Sequence, residues 1–369
     1  MTAASPFPPR CADAPGDVAH PAFAGLTSDE LRAFLVGHGF TPTHVERLAR
    51  DAIRGRAVSF ADVEGLGDAG AKRLEALLAI RTTKVVGRTD APDGTVKLLV
   101  ETADRERVES VLMPLSKRSS GCVSTQVGCG AACAFCASGL EGLRRSLAAH
   151  EIVEQVLHLR DEARARGVAF SNLVFMGMGE PLHAYDAVVR AIRLLTDTRL
   201  LGFGCGHVTV STVGVVPGIL ALAEEGLGVN LAVSIHAADD ALRRSLLPVG
   251  GRWTVAETLD AAERFRVRTR RFVTLQLTLM AGVNDAPSHA EALADAIAGR
   301  PFHVNLIPVN RVEGTPYAPP DQSVLDAFLD VLERRRVIAH VRSRRGSDVA
   351  AACGQLRRAS RPSSSAPAS

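Results

Sequence analysis

Three cysteines, Cys129, Cys133 and Cys136, stand in a loop of small residues, "GCGAACAFCASG", and a fourth, Cys122, lies just upstream. Thiolates bind soft metals, attack disulfides and accept alkyl groups, so the cluster is a candidate for metal binding or for sulfur chemistry. A structural zinc site wants four ligands, usually as two separated pairs. The loop offers three, which leaves zinc dependent on Cys122 or on a distant histidine. Three thiolates also suit a four-iron cluster with one iron open to a substrate chelate. A disulfide scaffold fits poorly. No charged-then-apolar leader opens the chain and no apolar run reaches the roughly 18 residues of a membrane span, so a cytoplasmic protein without membrane attachment is expected. Reducing conditions there do not keep disulfides as scaffolding.

A second set of chemically capable residues falls at the ends of apolar runs. Gly179 and Glu180 close "FMGMGEP", where backbone oxygens and a carboxylate are offered to an ammonium group. Ser211, Ser234 with His236, and Asn305 end or follow other such runs.

These residues need a scaffold, and its pattern is legible. From Cys122 onward, "CVSTQVG", "NLVFMG", "HVTVSTVG", "VNLAVSIHA", "FVTLQLTLM" and "HVNLIPVN" read as strands, with "IAHVRSR" trailing. Helices are expected to begin near His150, Ala184, Pro217, Val255, Pro287 and Asp321. Six strand–helix alternations require crossovers and hence a parallel sheet, either doubly wound or a partial barrel, with chemistry at the carboxyl ends of the strands. Upstream, "LTSDELRAFLVGHGF" reads as a helix capped by Thr27 or Ser28 with Leu31, Phe34 and Leu35 inward. "VEGLGDAGAKRLEALLAI" reads as a Gly-rich turn feeding a helix with Leu74, Leu77 and Leu78 inward; the turn is an interhelical connection or a cradle for phosphate. Short strands follow at "TKVVGRT", "TVKLLVET" and "VESVLMP". The expected organisation is a disordered 1–20, a helical accessory domain at 21–82, a β extension at 83–115, the catalytic α/β unit at 116–346, a cysteine loop at 347–358 and a disordered tail at 359–369.

The 369 residues, 46% of them hydrophobic, can bury a full core. The net charge of +3 is too small to mark the whole chain as a nucleic-acid binder, but its distribution is uneven. Arg334, Arg335, Arg336, Arg342, Arg344, Arg345, Arg357, Arg358 and Arg361 face one acid, Asp348, and "RFRVRTRR" forms a second run. These runs are either solvated faces or a track for a phosphate backbone. With 4% aromatic residues, an open stacking platform is not expected.

The cysteine loop followed by "GMGEP" on an alternating α/β chain resembles the radical S-adenosylmethionine (SAM) superfamily. Together with "CVSTQVGC", "VTVSTVGVVP", "SIHAADDALR", "NLIPVN", "GTPY" and "AACGQL", it resembles the RlmN/Cfr family of radical-SAM RNA methyltransferases, over about nine-tenths of the chain. The resemblance implies a partial (β/α)6 TIM-like barrel. It implies that Cys129, Cys133 and Cys136 hold a [4Fe-4S] cluster, and that Gly179, Glu180, Ser211, Ser234, Ile235, His236 and Asn305 line the SAM site. Two SAM molecules would be used per turnover. One methylates Cys353 of "AACGQL"; the other yields a radical that takes a hydrogen from that S-methyl group, and the methylene adds to an adenine ring carbon, carbon 2 rather than carbon 8, of ribosomal or transfer RNA. Glu109, by itself an ordinary exposed strand glutamate, matches the proton acceptor. Cys122 matches the thiol that resolves the RNA–protein adduct, leaving a transient disulfide. A monomer served by an electron donor such as flavodoxin or ferredoxin is expected.

The sequence departs from the family pattern at Val213, at "CASGLEGLRRSL" and after the asparagine of "NRVEGTPY". Cys11 and Cys205 match nothing functional, and Cys205 is expected to be a small packing residue. Two other readings stand beside this one: a radical-SAM enzyme acting on a peptide or another enzyme, and a zinc-stabilised RNA-binding module.

Overall fold

The Thr27 hydroxyl accepts from the Glu30 N–H at 3.2 Å while the Glu30 carboxylate accepts from the Thr27 N–H at 2.8 Å, a reciprocal cap that starts helix α1 (Ser28–Gly37). With α2 (Pro42–Leu48) and α3 (Gly67–Glu75) it forms a small helical unit around Leu31, Leu35, Leu48, Leu74 and Leu78, while Phe34 and Leu77 are only partly covered. The computed structural model describes residues 20–54, 57–115, 117–140, 142–342, 346 and 349–357. Polar contacts fix the helical unit to the rest: Ser28 donates to Asp197 at 2.5 Å, and Arg190 and Arg199 pair with Glu30 and Asp29 at 2.7 Å each.

Strands β1 (Lys84–Asp90), β2 (Val96–Glu101) and β3 (Arg107–Leu115) form an antiparallel meander. β3 pairs antiparallel with β4 (Arg118–Cys122), so the segment expected as a β extension is joined by hydrogen bonds to the main sheet. After β4 the chain makes a hairpin of β5 (Gln126–Gly128) and β6 (Leu143–Ser146), with the short helix α4 (Ala137–Leu140) in its loop. It then alternates: α5 (Ala149–Ala165), β7 (Ala169–Phe175), α6 (Tyr185–Thr196), β8 (Val208–Thr212), α7 (Val216–Glu224) and β9 (Asn230–Ser234). Helices α8 (Asp240–Leu246) and α9 (Val255–Thr269), β10 (Val273–Leu279), α10 (Pro287–Ala296), β11 (His303–Pro308), α11 (Gln322–Arg334) and β12 (Ala339–Val341) complete it.

The main sheet runs β1-β2-β3-β4-β7-β8-β9-β10-β11-β12, parallel from β4 onward. Each parallel strand adds beside its predecessor with no reversal of order. That is the winding of a barrel rather than of a doubly wound sheet, which reverses at a switch point. Six strand–helix units and a trailing strand match the expected partial (β/α)6 barrel.

"CVSTQVG" is not one strand. β4 ends at Cys122, and the N–H groups of Thr125 and Gln126 turn to the carbonyl of Met178 at 2.8 and 3.2 Å. Outward strand residues such as Val208, Val210, Leu231, Leu275, Val304 and Leu306 are fully buried, each contributing roughly 1.5–3 kcal/mol. The alternate positions face the interior and carry the polar residues, as a period of two requires. Among the described residues, no helix is long and apolar enough to cross a membrane.

Candidate active site

The cysteine loop is held at both ends. Gly128, with φ of 79°, leaves no room for a side chain, since a Cβ there would lie 1.9 Å from the Gly142 carbonyl, and the Cys129 N–H donates to that carbonyl at 3.1 Å. Further on, the Ala134 N–H donates to the Leu246 carbonyl of α8 at 3.0 Å, and Phe135 meets His236 edge-on at 4.9 Å. A small apolar cluster of Ala131, Phe135, Leu246, Leu247, Met280 and Val309 seats the loop. Helix α8, absent from the helices expected, is short and polar on its outer face.

Cys129, Cys133 and Cys136 all line one pocket. Burial pushes Cys129 up to about 12 and raises Cys133 and Cys136 as well, so the free thiols hold their protons. Metal binding requires the thiolates and would release those protons. Among the described residues no three His, Cys, Asp or Glu side chains converge as they would on a single ion. A four-iron cube takes its thiolates at separate corners, and three soft donors around one cavity fit it.

The opposite wall begins at the end of β7. Gly179 has φ of 104°, and a Cβ there would sit 2.7 Å from the side chains of Thr125 and Gln126. Only glycine lets this turn close on the cysteine hairpin. Glu180 accepts from the N–H of Leu182 at 3.0 Å and of Val213 at 2.8 Å, while its own N–H donates to Gln126 Oε1 at 3.0 Å. Burial pushes its carboxyl up to about 7. The carboxylate is thus anchored by the chain before any ligand arrives.

Ser211, Ser234 and His236 line the same pocket from β8 and β9, joined by Gln276 and Thr278 of β10. His236 has a left-handed backbone, φ 55°, and its Nδ1 accepts from the Thr278 N–H at 2.8 Å, so Nε2 carries the proton. Burial, with Arg243 nearby, holds the ring neutral, down to about 3. Arg243 is itself fully buried and donates to the carbonyls of Gly250 at 2.5 Å, Trp253 at 2.9 Å and Val213 at 2.8 Å, which pins the turn after Ser211.

Two expected residues stand elsewhere. Ile235 is wholly buried in the main core and does not line the pocket. Asn305 does not end its strand: β11 continues to Pro308, and Asn305 sits in mid-strand, in register with Gln276 and His340. The asparagine at the pocket is Asn310, beyond the strand's end. "NLIPVN" contains two asparagines, and the second lies beyond the end of β11.

A second cavity adjoins the first, lined by Ser120, Cys122, Asn172, Met176, Asn310 and Arg342 among others. Cys353 is exposed and borders both cavities. Its loop is tied down at several points. Asn310 Nδ2 donates to the Cys353 carbonyl at 3.1 Å, Ala137 N–H to Gly354 O at 2.8 Å, and Ser138 Oγ to Leu356 O at 2.5 Å. Glu109 is buried rather than exposed; its carboxylate pairs with Lys97 Nζ at 2.9 Å and accepts from the Arg357 N–H at 2.9 Å. Cys122 is buried, which pushes its thiol up to about 12; a Cys353 thiolate adds to that, while Arg342 and the Met176 N–H oppose it.

The arginine runs divide. Arg335 pairs with Glu291 and Asp295, Arg266 with Glu263, and Arg268 with Glu224, so these serve the surface. Arg342 turns into the second cavity, which charge counting along the sequence could not reveal. Arg344, Arg345, Arg358, Arg361 and Cys11 lie outside the described residues. Cys205 is exposed, in the turn Cys205–His207 before β8, and is not a packing residue.

A partial barrel with three cysteines and a Gly-Glu turn at the carboxyl ends of its strands is the architecture of a radical SAM protein, and residues 123–294 match the Radical SAM superfamily model. The relatives carry the assignment further. The chain is 44% identical over 344 residues to the probable dual-specificity RNA methyltransferase RlmN 1 of Opitutus terrae, covering 91% of this chain and 97% of that one. It is 42% identical to the ribosomal RNA large subunit methyltransferase N of Nitrosopumilus maritimus, covering 77% and 83%. The crystal structure of a radical SAM methyltransferase from Sphaerobacter thermophilus superposes with a TM-score of 0.89 at 39% identity, over 91% of this chain and 99% of that one. The chain belongs to the RlmN family of RNA methyltransferases. It is a radical SAM enzyme that uses a [4Fe-4S] cluster and SAM and acts on RNA, which sets aside the zinc-stabilised module.

Proposed function

We propose that this enzyme methylates a ring carbon of adenine, carbon 2 rather than carbon 8, in ribosomal RNA, transfer RNA or both, through a methylated Cys353. The observation that carries this reading is the position of Cys353 between two cavities, one bordered by Glu180 and the three loop cysteines, the other by Cys122.

The residues divide the work. Cys129, Cys133 and Cys136 hold the cluster. Gly179 and Glu180 take the ammonium of SAM, with Ser211, Ser234, His236 and Asn310 completing the site in place of Asn305. Cys353, as a thiolate, accepts a methyl group from one SAM by displacement. Held there, the cluster and a second SAM would supply the one-electron chemistry that activates that methyl for transfer. The S-methylene of Cys353 would then add to the ring carbon, and the adduct would give one electron back to the centre that supplied it. Glu109 accepts the ring proton, and its bond to the Arg357 N–H makes its availability depend on the position of the Cys353 loop. Cys122 attacks the Cys353 sulfur. The S–S bond forms, the S–C bond breaks, and its electron pair goes to the methylene, which takes a proton and becomes the methyl group. A dithiol reductant then reopens the disulfide.

An electron donor such as flavodoxin or ferredoxin, a monomeric state and a cytoplasmic setting complete the reading. Mass spectrometry of adenines from ribosomal and transfer RNA of a deletion strain tests it. Loss of 2-methyladenosine from either RNA is expected, and an unchanged adenine profile in both overturns it.

A further inference from the structure

Among the described residues lining the second cavity, Arg342 is the one with a formal charge; the others are neutral polar or apolar side chains and the two cysteines. It follows β12 directly, where its N–H donates to the Leu306 carbonyl at 2.8 Å. Its Nη1 lies 3.9 Å from the sulfur of Met176, the residue that follows β7. The same Met176 lines this cavity together with Cys122. Met176 therefore meets the arginine on a wall that it shares with Cys122. Neighbouring strands supply no competing charge at Cys122: Val111 and Val174 flank it in register, and the carboxylate of Glu109 on β3 is turned to Lys97 and the Arg357 N–H. Among the described residues, the titratable side chains that line the cavity with Cys122 are Arg342 and Cys353.

We propose that Arg342 is the positioning residue for product release, its guanidinium holding the Cys122 sulfur as the thiolate that attacks Cys353. The proposal rests on the reading of Cys122 and Cys353 given above. Burial alone keeps the Cys122 thiol inert, and Arg342 works against that burial. The arrangement also orders the steps. While Cys353 is a thiolate, both sulfurs draw on one cation. Once Cys353 carries a methyl group or the adenine adduct, its charge is gone, and Arg342 is left to Cys122. The nucleophile for release is thereby favoured only after its target exists.

The test has an arm that needs no turnover. In holoenzyme carrying C353S, alkylation of Cys122 by iodoacetamide is followed by peptide mass spectrometry from pH 6 to 10. Relative to this parent, R342M should slow alkylation about tenfold across this range, the equivalent of about one unit in the titration of the thiol. R342K, which keeps the charge, should fall between. An unchanged profile in R342M overturns the proposal. A second comparison leaves Arg342 in place: Cys122 should alkylate faster in C353S than in the unsubstituted enzyme, and equal rates overturn the ordering of the steps. With RNA and SAM, R342M should accumulate the Cys353–RNA conjugate at pH 7.5 and discharge it at pH 9.5. If R342M methylates Cys353 but forms no conjugate, the guanidinium serves the RNA phosphate instead and the proposal fails. If the unsubstituted enzyme forms no methyladenine, the general reading fails while the alkylation arm still reports on Arg342.

Discussion

Glu109 Oε2 accepts a hydrogen bond from the backbone N–H of Arg357 at 2.9 Å, joining the middle of β3 to the loop that carries Cys353. The contact links residues far apart in sequence, and the other carboxylate oxygen is held by Lys97, whose ammonium also reaches the Ala350 carbonyl at 3.3 Å. Glu109→Gln keeps the shape but removes the base. It should leave methylation of Cys353 intact and lower RNA methylation by about a hundredfold or more, the usual range for a lost general base. Radiolabelled SAM followed on protein and on RNA separates the two, and normal RNA labelling would assign Glu109 to loop anchoring alone.

Replacing any one of Cys129, Cys133 or Cys136 with Ala should abolish iron binding and SAM cleavage, because the loop offers no spare thiolate and the other cysteine on the pocket, Cys353, is assigned to the methyl group. Anaerobically prepared enzyme should hold about four irons per chain. Full iron occupancy in any of the three variants would remove the cluster assignment.

The two remaining active cysteines should fail at different points. C353A should keep cluster and SAM binding and take no methyl label. C122A should methylate Cys353, form the adduct and stop, giving a conjugate that survives denaturant and collapses on nuclease digestion. A C122A enzyme that turns over normally would end the proposed route of release.

SAM binding should depend on pH through Glu180. Burial places its carboxyl at about 7, above its ordinary value, whereas a bound ammonium favours the ionised form. Below pH 7 binding must therefore expel a proton, and affinity should weaken by up to tenfold per unit as the pH falls from 7 toward 5, levelling off above 8. Calorimetry on the holoenzyme checks this. E180Q should bind weakly at every pH, and the same slope in E180Q would move the titration elsewhere.

Much of the barrel was legible because its strands bury their outward residues and its helices carry caps and apolar faces, patterns written locally. The cysteine loop and the Gly-Glu turn were legible because soft ligands and a glycine at φ of 104° leave few substitutes. Long-range placement was harder to read. That β3 continues into the barrel sheet, that Glu109 is buried against Arg357, and that Arg342 leaves its basic neighbours for the interior all depend on segments meeting across the fold. Asn305 and Asn310 differ only in where β11 stops, a boundary fixed by pairing with β10 out to Pro308. Helix α8 is stabilised by Asp239 at its N-cap and by the buried Arg243, neither of which shows as an apolar stripe.

The bonds from Ala137 and Ser138 to Gly354 and Leu356 also have a meaning for assembly. Cys353 and Gly354 come later in the chain than every other residue lining the first pocket. On the ribosome, the three thiols and the Gly-Glu wall emerge and can fold while that last stretch is still inside the exit tunnel. The pocket is then open on the side that the finished protein covers. A cavity without that wall is more open to iron and sulfide than the one that Cys353 and Gly354 border in the finished protein.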